Sequence, residues 1–274
     1  MNWIKWCSAS VLLFFLPAGP AVAQTFKFTQ VPRATIEDRL RQFSNKNSVR
    51  KERLQGIFEA AGCRDGLAEQ KVSWSRLPNV ICTLPGETNS IIIVGAHFDL
   101  MGDGDGVVDN WSGASVLPSL FESLVASTPR HKFMFIGYTD EEKGLFGSAF
   151  HARKLTAEER KRTRAMINLD CLGLSPTKVW TSISDRALVD ALGRVAGTIK
   201  LPVAGANADN VGRADSQSYI KVKIPTITIH SITQETLPVL HSSRDRIKAI
   251  DLDAYYDTYR LLAAYLAYLD ATLE

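Results

Sequence analysis

Apolar residues recur along this chain at two spacings, one helical and one extended. Ile36, Leu40 and Phe43, followed by Val49, Leu54, Ile57 and Phe58, fall at helical intervals. They predict helix over 34–62, interrupted at Asn45 and Asn47 and capped by Gly62. Val72-Ser73-Trp74 and Val80-Ile81-Cys82 read as short strands. Pro85-Gly86 then turns the chain into Ile91-Ile92-Ile93-Val94, an unbroken apolar run suited to a buried strand. A glycine-rich loop at 102–106 leads into a helix over about 112–126. Strands over 133–138, 166–169, 179–180 and 224–229 alternate with helices over 147–155, 185–199 and 253–271.

Such alternation implies an α/β fold, with three α/β/α layers around a mostly parallel mixed sheet. Ligands in such folds gather beyond the carboxyl ends of the strands. No internal repeat, linker or low-complexity segment divides the chain, so one catalytic domain over 24–274 is the simplest account.

Composition refines this reading at the N-terminus. Lys5, the apolar core Val11-Leu12-Leu13-Phe14-Phe15-Leu16 and Ala21-Val22-Ala23 have the pattern of a secretory signal, with cleavage expected after Ala23. The apolar run is shorter than the roughly 20 residues needed to span a bilayer, which argues against a stable membrane anchor. Export to the periplasm or the medium is therefore expected. Formal net charge is +3, and +2 without Lys5. That balance gives no footprint for nucleic acid, and the run Glu158-Glu159-Arg160-Lys161-Arg162 reads as a solvated helical turn. Cys63 and Cys82 are a candidate disulfide pair joining a helix end to a strand. Cys171 reads as a buried free thiol.

The candidate chemistry lies at element ends. His97, Asp109, Glu142, Asp170 and His241 each end or directly follow an apolar run. Two imidazoles and three carboxylates suit a pair of zinc ions that share one carboxylate. Asp99 lies two residues past His97, on the same face of an extended chain, where it can accept from the ring nitrogen that does not bind metal. Asp109 precedes a helix, and an N-cap aspartate would look the same in sequence. Asp140-Glu141-Glu142 places three acids together at a strand end, which is costly without a nearby cation. Glu142 is assigned as ligand and Glu141 as general base. A solvated acidic turn is the other reading of that segment. Among the remaining histidines, His131 reads as surface, His151 as lying on a helix exterior and His230 as structural.

Taken together, GAHFD (95–99), VDNWSG (108–113), DEEKGLFGS (140–148), NLD (168–170) and HSSRD (241–245) resemble the M28 family of zinc peptidases. The resemblance covers roughly residues 78–270. It implies one zinc on His97, Asp109 and Asp170 and a second on Asp109, Glu142 and His241. It also implies Asp99 as partner of His97, Glu141 as base, a cis peptide between Asp109 and Asn110, and peptide or protein N-termini as substrate. Two positions depart from many members. Trp111 replaces a small residue, which is expected to narrow or reshape the pocket, and Ala214-Asp215-Ser216 stands in place of Ser-Asp-His. Two rival readings remain open. One is single-zinc glutaminyl cyclisation, which typically goes with Trp before the final histidine, where this chain has Leu240. The other is a non-catalytic binding module.

Overall fold

The computed structural model describes residues 28–209 and 212–274; the expected signal segment lies outside them. Eight strands form one sheet: β1 (Leu67–Gln70), β2 (Asn79–Leu84), β3 (Ile91–His97), β4 (Lys132–Tyr138), β5 (Thr163–Leu169), β6 (Lys178–Val179), β7 (Ala204–Gly205) and β8 (Thr226–His230). Their spatial order is β1-β2-β4-β3-β5-β8-β6-β7. The central four, β4-β3-β5-β8, are parallel, while β1, β2 and β6 join antiparallel.

The helices are α1 (Arg33–Leu40), α2 (Asn47–Ala60), α3 (Ser112–Val125), α4 (Phe146–Lys154), α5 (Ala157–Arg162), α6 (Arg186–Ile199), α7 (Ser216–Ile220) and α8 (Leu252–Thr272). Alternate residues of the central strands feed two cores. Ile92, Val94, Phe133 and Phe135 pack with α1, α2, α3, α6 and α8 on one face. Ile91, Ile93, Ile136 and Met166 pack with α4 and α7 on the other. Both faces of the central strands are thus covered, as expected from their continuous apolar runs.

Several local expectations shift. The helical pattern over 34–62 divides into α1 and α2, and the break covers 41–46. The strand expected at 72–74 is instead β1, which pairs Leu67 with Cys82 and Gln70 with Asn79. The chain must therefore reverse over 71–78, where Trp74 takes a positive φ of 67° and stands 88% exposed. The mixed-charge run forms α5, with Thr156 and Glu159 closing a capping box. Only Lys178 and Val179 of the next segment pair in the sheet. The short β7 and α7 have no clear periodic signal. Cys63 and Cys82 form a disulfide that ties the end of α2 to β2, and Cys171 is a buried free thiol.

Two histidine readings are corrected. His131 is 1% exposed, with its Nδ1 3.2 Å from Asp270, because the start of β4 packs against the end of α8. His151 is buried because its face of α4 packs on α7, and its Nδ1 shares a hydrogen bond with the Tyr219 hydroxyl at 2.7 Å. Tyr219 is in turn 2.6 Å from the Tyr138 hydroxyl. His230 is buried beside the Ala206 carbonyl, which agrees with its structural reading.

Burial pushes the His151 imidazole down from 6.5 to about 4. The unfolded chain therefore takes up that proton first as pH falls. Stability from this group is complete above pH 6.5 and is lost as pH falls through about 4. Wild type is expected to lose about 2 kcal/mol more than His151→Asn between pH 7.5 and 5. Urea midpoints of both proteins at the two pH values test this, and equal losses would refute it.

Candidate metal centre

Three strand ends, a wide turn and a loop bring the candidate residues to the carboxyl rim of the parallel strands. His97 ends β3, Glu141 and Glu142 follow β4, and Asp170 follows β5. Asp109 lies in the wide turn Val107–Trp111 ahead of α3, and His241 lies in the loop after β8. His97 Nε2 is 3.2 Å from Asp109 Oδ1 and 3.6 Å from Asp170 Oδ1. His241 Nε2 is 3.1 Å from Asp109 Oδ2 and 3.2 Å from Glu142 Oε2. Each Asp109 oxygen thus faces a separate triad, and within each triad the ligand atoms lie within 4.8 Å of one another.

The three consecutive acids have three destinations. Asp140, at φ 52°, turns to Lys143 and Ser75, at 2.8 and 2.6 Å. Glu142 meets His241. Glu141 stays in the cavity, where burial pushes its carboxyl up to about 10; Asp215, Asp170 and Asp109 reinforce the rise and His97 opposes it. Asp109 is driven the other way. Burial would raise its pKa, but hydrogen bonds to His241 and His97 hold it below the usual carboxylate range. Asp215 is buried behind the site, and burial raises it to about 7.

A second set of contacts fixes these positions. The Asp99 carboxylate accepts from the backbone amides of Glu141 and Glu142 at 3.1 and 3.3 Å. His97 Nδ1 lies 3.2 Å from the Asp99 carbonyl oxygen and 3.5 Å from its carboxylate. One residue therefore orients both the imidazole and the acidic turn. Asp245 accepts from the amides of Val108 and Asp109 at 2.7 and 3.0 Å, so the loop of His241 is tied to the shared carboxylate. Arg50, fully buried on α2, donates to the carbonyls of Phe98, Asp105 and Gly106. Burial lowers Arg50 only to about 10, so it remains charged at neutral pH. Gly104 allows loop 102–106 to lie against the His241 loop, because a Cβ there would stand 2.5 Å from the Ser242 carbonyl oxygen.

Neither Arg50 nor Asp245 received a role from sequence. Asp245 stands inside the HSSRD motif, so spacing could have flagged it. Arg50 carries no such signal and looks like any helix-surface cation. The reading of Trp111 as a pocket residue is corrected. Trp111 is fully buried, donates to the Arg39 carbonyl at 3.2 Å and stacks beneath Arg50, because the start of α3 faces α1 and α2. The peptide between Asp109 and Asn110 is cis. Cys171 lies 3.2 Å from Asp170.

The donors suit a cation. Three carboxylates and two imidazoles converge, and Glu142 Oε1 is buried with no hydrogen-bond partner among the described residues. Nitrogen and carboxylate donors in two sets of three fit zinc. A cavity of about 460 Å³ opens over them. Fold and site together define an α/β protein with a candidate two-metal centre at its sheet rim.

The chain belongs to peptidase family M28, whose sequence pattern matches residues 79–266. An aminopeptidase of Pseudomonas aeruginosa is 35% identical over 96 residues, which is 35% of this chain and 18% of that protein. A probable leucine aminopeptidase of Trichophyton verrucosum is 32% identical over 135 residues, 44% of this chain and 35% of that protein. The chain thus spans about a fifth to a third of these curated relatives. Among solved structures, Legionella pneumophila LapA aminopeptidase matches with a TM-score of 0.76 at 20% identity, over 93% of this chain and 79% of that one. BSAP, a zinc aminopeptidase from Bacillus subtilis, gives 0.65 at 24% identity, over 72% and 50%. An Acidobacteriales bacterium glutaminyl cyclase gives 0.73 at 16% identity, over 93% and 99%. These structural likenesses establish the fold.

Asp245→Asn, which loses the charge and one of the two amide contacts, is expected to weaken zinc retention about 10–100-fold. Competition with a graded chelator measures this. Unchanged zinc affinity with an intact circular dichroism spectrum would exclude the bracing role.

Proposed function

We propose that this chain is a zinc-dependent aminopeptidase that hydrolyses the peptide bond behind a free N-terminal residue. The observation that carries this reading is the placement of the two Asp109 oxygens, one toward His97 and Asp170 and the other toward His241 and Glu142. His97, Asp109 and Asp170 would hold one zinc, and Asp109, Glu142 and His241 the other. Bound zinc supplies Lewis acidity, which brings the pKa of water from about 15.7 toward 7 and polarises a carbonyl.

The protein's own groups supply the rest. Glu141, in the same cavity, takes the proton of the attacking water and returns it to the leaving amine. Asp99 holds the acidic turn and the His97 ring in register through its amide and imidazole contacts. Leu145, Ile232, Leu237 and Leu240 line the cavity and offer an apolar wall to a substrate side chain.

The proposal extends to the whole chain. Residues 1–23 act as a removable secretory signal and 24–274 as the catalytic unit, exported to the periplasm or the medium. The Cys63–Cys82 disulfide supports an oxidising compartment.

A panel of aminoacyl anilides, each with its amine free or acetylated, tests the reaction. The free set is expected to be cleaved and the blocked set spared. Glu141→Gln is expected to retain about two zinc ions per chain and to lose roughly 10²–10⁴-fold in kcat. Cleavage of only the blocked set, or a near-normal kcat in Glu141→Gln, would overturn the reading. A glutaminyl peptide provides the cyclase arm: ammonia released without peptide fragments would identify cyclisation.

A further inference from the structure

The cavity above the candidate metal centre contains an unused cation. Arg213 lines it, and no hydrogen bond or ion pair connects this side chain to any described residue. The other cations near the rim are engaged. Lys143 reaches Asp140 at 2.8 Å, Arg244 reaches the Pro238 carbonyl at 2.6 Å and Arg246 reaches the Ser243 carbonyl at 2.8 Å.

Arg213 also stands close to the reacting end of the cavity. Its Nη2 lies 3.7 Å from the point where a Cβ on Gly144 would stand, and Gly144 is two residues past Glu142. The carboxylates that line the cavity, Asp109, Glu141, Glu142 and Asp170, are those of the candidate metal centre. Arg213 thus shares the cavity with the apolar residues Leu145, Ile232, Leu237 and Leu240 and makes no ion pair with any described carboxylate.

We propose that Arg213 is a carboxylate receptor of the substrate cavity, so that preferred substrates are short peptides with a carboxylate near the scissile bond. This rests on the aminopeptidase reading and specifies its substrate class. A guanidinium presents two parallel N–H donors that match the two oxygens of a carboxylate and cannot match a neutral amide in the same way. The carboxylate has two possible sources, the free C-terminus of a dipeptide or an acidic side chain on the residue after the cleaved bond. Arg213 is exposed, so the preference is modest and screened by salt.

Kinetics of the zinc-loaded protein separate the two sources. Leu-Ala is compared with Leu-Ala-amide for the C-terminus, and Leu-Glu-amide with Leu-Gln-amide for the side chain. In at least one pair the acid is expected to exceed its amide about tenfold in kcat/KM at low salt, and the responding pair names the source. In Arg213→Gln that ratio falls to about one, and in wild type it shrinks as ionic strength rises. A ratio near one in both wild-type pairs, or an unchanged ratio in Arg213→Gln, overturns the proposal. If no peptide is turned over, the aminopeptidase reading fails separately. Calorimetric binding of the same pairs to zinc-loaded wild type then reads Arg213 alone. The same preference is expected, whereas equal affinities, or no binding by any of the four peptides, overturn it.

Discussion

The site depends on how much negative charge it gathers into one largely buried space. Asp109, Glu141, Glu142 and Asp170 line one cavity, and Asp215 lies buried behind it. Carboxylates brought so close repel one another unless protons or cations neutralise them. The two imidazoles partly meet this demand, since His97 and His241 each sit against Asp109. Burial raises the proton affinity of Glu141, and the neighbouring carboxylates Asp215, Asp170 and Asp109 add to it. A pair of divalent ions would meet the demand more completely.

Holding that cluster in one geometry requires contacts outside it. Arg50 gathers the chain on both sides of the loop between β3 and the wide turn, binding the carbonyls of Phe98, Asp105 and Gly106. Asp245 brings the loop of His241 onto the amides that precede and carry the shared carboxylate. Asp99 joins β3 to the acidic turn after β4. Each brace links segments remote in sequence through backbone groups, so the arrangement depends on where the chain passes more than on neighbouring side chains.

Much of this was legible in the sequence because strong periodic signals coincide with chemistry. The continuous apolar runs gave the central strands, and the residues that end them gave His97, Glu141, Glu142 and Asp170. His241 was legible only as part of a set, since nothing about its own loop marks it. The misplaced elements have physical causes. At 67–74 the alternation was weak, and the pairing of β1 with β2, which periodicity does not encode, determined where the strand lies. β7 has only two residues and α7 only five, too few to display a period. Trp111, His131 and His151 were misread for a common reason: whether an aromatic ring or imidazole is covered depends on the element packed against it. α2 covers Trp111, α8 covers His131 and α7 covers His151, and none of these is near in sequence.

The long separation between His97 and His241 also bears on timing. Asp245, which clamps the shared carboxylate, comes later still. A nascent chain that lacks this last stretch has β3, β4 and β5 and four of the five candidate ligands, His97, Asp109, Glu142 and Asp170, but not His241. The second triad, Asp109, Glu142 and His241, is therefore completed only once residues 241–245 are in place.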